Sequence, residues 1–212
     1  MKTLVAALVL CLYLIPGVGH AQFQLGKQYV ELPAGAAPAS GDKIIVREFF
    51  WYGCPHCYRL EPYIESWLKH IPSDVRFVRT PGVASRWLAD ARAFYTFEAL
   101  GVTKQVHKDY FDAIHKKGQR FDNEASLVQF LAAHGVDPEK ARNAYNSFGV
   151  RTQVENAKQL NYRYAVASVP TITVDGRYKT DVSMAGGPNQ LLALIDYLVE
   201  QSRQQRKRAA KS

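Results

Sequence analysis

Cysteine is scarce in this 212-residue chain: there are three, Cys11, Cys54 and Cys57. That number excludes a disulfide-dense scaffold and a self-sufficient four-cysteine zinc site. No repeat of 20 to 50 residues is present, and ten Pro and fourteen Gly are scattered rather than clustered, which excludes solenoids, collagen-like chains and low-complexity segments. The unbroken apolar run Leu4–Ile15 is twelve residues long, whereas a membrane-spanning helix needs about 20. No H-x-x-x-H ligand pair occurs, and Gly186-Gly187-Pro188 lacks the full glycine pattern of a phosphate cradle, so neither a metal nor a cofactor is expected. Acidic residues are absent beyond Glu200.

What is present begins with an export signal. Lys2 precedes the apolar run, Pro16 and Gly17 break it, and Gly19-His20-Ala21 places small residues at −3 and −1 of a cut before Gln22. Residues 1–21 therefore read as a cleaved signal peptide; a buried core helix is the alternative. Cys11 lies inside this run, and bulky Leu10 before it argues against lipid attachment. The formal charge of +8 falls to +2 once Lys2 and the five cations Arg203, Arg206, Lys207, Arg208 and Lys211 are set aside. The basic excess is then a property of the end of the chain. Residues 204–212 are expected to be a disordered, solvated tail. No helix-turn-helix or zinc-finger pattern accompanies it, so nucleic acid is not an expected partner. With 47% apolar residues, the remainder can bury a core.

Along the mature chain, Tyr29–Leu32 is a short strand candidate and Lys43–Phe50 the strongest one, rich in β-branched and aromatic residues. A helix follows to about His70, with Pro55 suited to its first turn and Pro62 expected to kink it. Val75–Arg79 reads as the next strand, far enough along the chain for parallel pairing. From about Ser85 to Tyr164 the pattern is helical: Gly101 ends one helix, Thr103 can cap another, and Asp137-Pro138 opens a third. Thr171–Val174, Asp175-Gly176 and Arg177–Thr180 form strand, tight turn and strand. A last amphipathic helix is expected over about Pro188–Arg203. The reading is an α/β sheet domain, residues 22–81 and 158–203, interrupted by a helical insertion, residues 82–157.

Cys54-Pro55-His56-Cys57 opens the first helix directly after the strongest strand. A cysteine at a helix N-terminus faces unpaired N–H groups and the positive end of the dipole, which favours its thiolate. A protonated His56 adds positive charge, and the i, i+3 spacing lets the sulfurs meet as a reversible disulfide. Cys54 is expected to be the exposed member and Cys57 the buried one. A purely structural bridge would gain little, since closing a four-residue loop is worth about 2 kcal/mol against about 4.7 for a hundred residues. A zinc half-site lacks further thiolates. In an exported chain with one cysteine pair, redox chemistry is the favoured account.

Cys54-Pro-His-Cys57-Tyr58 after Glu48-Phe-Phe resembles the DsbA family of bacterial periplasmic thiol–disulfide oxidoreductases. Phe23 and Gly26-Lys27-Gln28-Tyr29, Ala99-Leu100-Gly101-Val102, Asn146-Ser147-Phe148 and Val169-Pro170 extend the resemblance over essentially the whole mature chain. It implies a thioredoxin-like fold with an inserted all-helical domain. It also implies a cis Val169–Pro170 bond packed against the Cys54 sulfur, with the Val169 backbone available to pair with a substrate peptide. The Pro-His dipeptide and Val169 are similar to those of the oxidants. The implied activity is donation of the Cys54–Cys57 disulfide to reduced, unfolded exported proteins, with reoxidation by a DsbB-like, quinone-linked oxidase of the inner membrane. A monomer in the periplasm is expected. Alternatives are a disulfide isomerase or reductase, a redox-silent peptide-binding chaperone, and a glutathione-dependent isomerase.

Glu48 is an acid in the middle of a central-looking strand, six residues before Cys54. A buried carboxylate must be paired or carry a raised pKa. It is expected to exchange a proton with Cys57, with Arg79 as partner; a solvent-facing or merely structural acid is the alternative. His70, His107, His115 and His134 read as surface residues, and Trp51, Tyr52 and Tyr58 as core more readily than as a substrate groove.

Overall fold

The computed structural model describes residues 23–33 and 41–211. The expected signal peptide, its cut near Ala21/Gln22 and Cys11 lie outside the described residues, as does most of the small-residue linker before the main strand. Five strands form one mixed sheet in the order β1-β5-β4-β2-β3: β1 (Val30–Glu31), β2 (Ile44–Phe50), β3 (Val75–Pro81), β4 (Thr171–Val174) and β5 (Tyr178–Thr180). β2 and β3 are parallel, with helix α1 (Pro55–Leu68) as their crossover. β2 and β4, β4 and β5, and β5 and β1 are antiparallel. Asp175 and Gly176, at φ +56° and +64°, are the central pair of the turn Val174–Arg177 that joins β4 to β5, closed by the Arg177 N–H donating to the Val174 carbonyl at 3.0 Å; glycine takes the left-handed conformation without a Cβ penalty.

Side chains alternate along β2, so Ile44, Val46, Glu48 and Phe50 share one face. α1 packs there through Cys57, Leu60 and Ile64. The one-turn helix α7 (Val182–Ala185) leads into α8 (Pro188–Ala209), which lies beside α1, tied by the Trp67 indole N–H donating to Asp196 at 2.8 Å. Leu60, Ile64, Leu191, Leu194 and Leu198 form an aliphatic core against the sheet. Phe49, on the other face, packs against Tyr164.

The insertion is a bundle of α2 (Leu88–Leu100), α3 (Thr103–His115), α4 (Glu124–Ala133), α5 (Pro138–Tyr145) and α6 (Phe148–Arg163), entered through a 3-10 turn at Ser85–Trp87. Its core is aromatic, built on Phe94, Phe97, Tyr110, Phe111 and Phe130, and it takes in Phe50, Tyr52, Cys54 and Cys57 from the sheet domain. Asp137 caps α5 by accepting from the Lys140 N–H at 2.8 Å. Thr103 does not cap α3: it is the first helical residue, and its hydroxyl donates to Glu98 instead.

The expected disordered tail is corrected, because α8 continues to Ala209. Gln, Arg, Lys and Ala are strong helix formers, so nothing stops the helix at Arg203. Arg206 fastens the extension by donating to Asp175 and to the Lys43 and Gly41 carbonyls.

Candidate active site

Cys54 is the N-cap of α1, with extended backbone (φ −85°, ψ 116°), and Pro55 occupies the first helical position. The Cys54 Sγ accepts the Cys57 N–H at 3.4 Å, and the Cys54 thiol donates to the Val169 carbonyl, also at 3.4 Å. The Val169–Pro170 bond is cis. Both cysteines are free thiols. Cys54 is 6% exposed and Cys57 0%, so the expectation of an exposed Cys54 needs correcting: the Val169 carbonyl lies against its sulfur. A side chain at Gly53 would lie 2.2 Å from the Trp51 ring, so glycine is required for that ring to fold against the turn.

The two thiols are driven in opposite directions. Cys54 falls from 9.0 to about 6, chiefly because the Cys57 thiol donates to it; burial opposes, while the Cys57 and His56 N–H groups assist and the charge of His56 adds least. Cys57 is pushed far above its ordinary value by burial first, then by the bond it donates to Cys54 and the nearby charge of Glu48. The His56 side chain contributes less than the sequence implied. Its Nδ1 meets Arg59 at 2.9 Å, and a guanidinium only donates, so Nδ1 accepts there and Arg59 supplies the local cation.

Glu48 is 0% exposed and stands in register opposite Arg79 on β3 and Ile172 on β4. The Arg79 Nε approaches Glu48 Oε2 at 3.4 Å, but neither carboxylate oxygen has a hydrogen-bond partner among the described residues. Burial raises the Glu48 pKa well above the carboxylate range; Glu61 adds to the rise and Arg79 opposes it. Arg79 donates to Glu61 Oε2 and Glu65 Oε1, each at 2.9 Å, so one guanidinium serves three acids.

Sequence reasoning missed four neighbours: Glu61, His107, His115 and Trp87. Glu61 lies one helical turn after Cys57 on α1, a spacing that signals a shared face. His107, read as a surface residue, is buried: its Nδ1 meets the Tyr52 hydroxyl at 2.7 Å and its Nε2 lies 3.4 Å from Glu61 Oε1. His115 is half-buried, donating from Nε2 to the Tyr52 carbonyl at 2.7 Å and stacking on Tyr58; His134 is half-buried as well. Trp87 stacks on Trp51 with ring centres 5.1 Å apart, and the Trp51 indole donates to Asp90 on α2 at 2.6 Å. Tyr52 is core as expected, whereas Trp51 and Tyr58 are half-buried.

This arrangement pairs an acidic sulfur, slightly exposed at the start of α1, with a basic one fully buried behind it, which is the disposition needed for dithiol–disulfide exchange. The profile of the DSBA-like thioredoxin domain family matches residues 64–198. The thiol:disulfide interchange protein DsbA of Azotobacter vinelandii is 45% identical over 184 residues, covering 86% of this chain and 86% of that protein. The crystal structure of Pseudomonas aeruginosa DsbA superposes with a TM-score of 0.83 at 44% identity, covering 87% of this chain and 97% of that one. The oxidoreductase DsbA of Xylella fastidiosa gives 0.77 at 34% identity, covering 84% and 96%. A thioredoxin-like sheet interrupted by a helical bundle, with its cysteine pair at the junction, is thus shared with proteins that interchange thiols and disulfides. The chain belongs to the DSBA-like thioredoxin domain family and is a protein disulfide oxidoreductase.

Proposed function

We propose that this protein is an exported oxidant, working in the periplasm, that passes its Cys54–Cys57 disulfide to newly exported proteins. The observation that carries this direction is the opposed pair of pKa shifts: a stabilised Cys54 thiolate favours the reduced enzyme and makes its disulfide a stronger oxidant. Each tenfold gain in thiolate stabilisation corresponds to about 30 mV for this two-electron couple.

A substrate thiolate attacks the Cys54 sulfur. A substrate–Cys54 bond forms, the Cys54–Cys57 bond breaks, and its electron pair leaves on Cys57, which takes a proton from Glu48. A second substrate thiolate then attacks the substrate sulfur and Cys54 departs as its thiolate. The client is oxidised by two electrons and the enzyme reduced by two. Val169, whose carbonyl lies 3.4 Å from the Cys54 sulfur, pairs with the client backbone beside Pro170. The Cys57 and His56 backbone N–H groups favour the Cys54 thiolate, and Arg59 places a cation beside the His56 ring. A DsbB-like, quinone-linked oxidase of the inner membrane restores the disulfide.

Equilibration of the mature protein with glutathione buffers, while thiolate absorbance is titrated, tests this reading. An oxidising potential with Cys54 ionising near pH 6 is expected; a potential as reducing as that of free dithiols contradicts it. Reduction should also raise the thermal midpoint. Because the folded Cys54 pKa is depressed, its contribution to the reduced form is complete above pH 9.0 and is lost as pH falls through about 6.

A further inference from the structure

Cys54 closes a turn as well as opening a helix. Its N–H donates to the Trp51 carbonyl at 3.0 Å, so Tyr52 and Gly53 are the central pair of a four-residue turn. Gly53 does not take a positive φ here. Glycine at that place also admits the type II form, in which the Tyr52–Gly53 peptide is turned over. Something outside the turn must therefore choose between the two. The Tyr52 carbonyl accepts no backbone N–H among the described residues. It accepts instead from His115 Nε2 at 2.7 Å, across 63 positions of the chain. A carbonyl only accepts, so Nε2 carries the hydrogen. The neutral Nε2–H form and the imidazolium both have it, so the bond holds on either side of histidine's titration.

The same ring reaches the far side of the cysteine pair. It stacks on Tyr58, the residue after Cys57, with ring centres 4.6 Å apart and planes 10° from parallel. The Tyr58 hydroxyl donates to Asp112 Oδ1 at 2.7 Å, and Lys108 and Lys116 donate to Asp112 Oδ2. Phe111 stacks on the imidazole with ring centres 6.0 Å apart. Phe111, Asp112 and His115 stand at i, i+1 and i+4, so they share one side of α3. The Tyr52 ring is itself buried in the aromatic core of the insertion.

We propose that His115 is a positioning residue for Cys54: from the helical insertion it clamps the turn before the cysteine pair and the helix after it, and so holds the Cys54 sulfur where the Cys57 N–H reaches it. This rests on the reading that a stabilised Cys54 thiolate sets the direction of exchange. The sulfur accepts that N–H at 3.4 Å, and the bond weakens steeply once donor and acceptor turn out of line. Turning over the Tyr52–Gly53 peptide would break the His115 bond and re-aim Cys54, while the aromatic core and the sheet stay as they are. The thiolate then loses stabilisation although the fold does not. His115 thus carries the influence of the insertion to a sulfur that it does not touch.

The test measures the glutathione equilibrium and the thiolate absorbance of the mature protein and three variants. His115→Ala removes ring and donor, His115→Phe keeps the stack on Tyr58 without a donor, and His115→Gln keeps a donor without the ring. The Ala and Phe variants should each become less oxidising by about tenfold in the equilibrium constant, or about 30 mV. Their Cys54 should ionise above the wild-type value of about 6. His115→Gln should stay within about threefold of the wild type, a rescue that packing alone would not give. Wild-type constants in the Ala and Phe variants overturn the clamp, and so does a loss in His115→Gln as large as in His115→Ala. If His115→Ala fails to fold, His115→Phe, which keeps an aromatic ring in place, decides alone. A reducing wild-type protein contradicts the oxidant reading, and the differences among the variants still decide the clamp.

Discussion

Glu48 and Asp175 are both withdrawn from solvent, at 0% and 8% exposure. At Asp175 both carboxylate oxygens accept from Arg206, and the same guanidinium holds the Lys43 and Gly41 carbonyls. At Glu48 the nearest cation stands 3.4 Å away without a hydrogen bond, and that cation is shared with Glu61 and Glu65. Asp175 is satisfied and fastens the hairpin to α8. Glu48 is under-satisfied, has a raised pKa and lies under the exchanging sulfurs. A buried acid that locks structure spends its hydrogen-bonding capacity; one that moves protons keeps it free.

The largest effect separating the two sites should be on rate. Glu48→Gln is expected to slow the Cys57 step by about a hundredfold and flatten its pH dependence, the range lost with a general acid–base group. Asp175→Asn should leave the exchange rate at the wild-type value. Stopped-flow mixing with oxidised glutathione measures both, and an unchanged rate and profile for Glu48→Gln would sink the proton-transfer role.

Stability should answer in the opposite sense. Asp175→Asn removes one partner of a largely buried pair and is expected to cost about 2–3 kcal/mol, since Arg206 is itself 29% exposed and recovers some hydration. For a chain of this size that lowers the thermal midpoint by about 5–10 °C. Glu48→Leu should instead stabilise by about 1–2 kcal/mol at pH 8, because Arg79 keeps Glu61 and Glu65. The sign follows from linkage. A carboxyl whose folded pKa is raised favours folding fully below its ordinary 4.5, and that advantage is lost as pH rises through the folded value. The gain in Glu48→Leu should therefore grow with pH and vanish in acid; urea unfolding at pH 4 and pH 8 measures it.

Legibility in the sequence followed distance along the chain. The strands, the Asp175-Gly176 turn, the capped start of α1 and the suspicion about Glu48 all rest on residues within a few positions of one another, where periodicity and turn chemistry act. His107 and Trp87 were invisible because their roles come from partners such as Glu61 and Trp51, which another part of the chain supplies. Cys54 proved more covered than its helix position suggests, because Val169, 115 residues away, closes over it. The end of α8 was misread for another reason: its charge was weighed before its helix propensity, and the anchor for Arg206 lies in the β4–β5 turn.

That anchor allows the finest distinction, within the basic end of the chain itself. Arg206 is bound to Asp175, while Lys207, Arg208 and Lys211 are exposed. Exposed cations in the last turn of a helix gain only tenths of a kcal/mol from its dipole. Replacing Lys207 and Arg208 by Gln should therefore move stability by less than about 0.5 kcal/mol. Arg206→Gln should reproduce the cost of Asp175→Asn, and the double variant should cost little more than either alone. A double-mutant cycle gives the coupling directly. If the two losses simply add, Asp175 and Arg206 act independently, and the satisfied acid loses its contrast with Glu48.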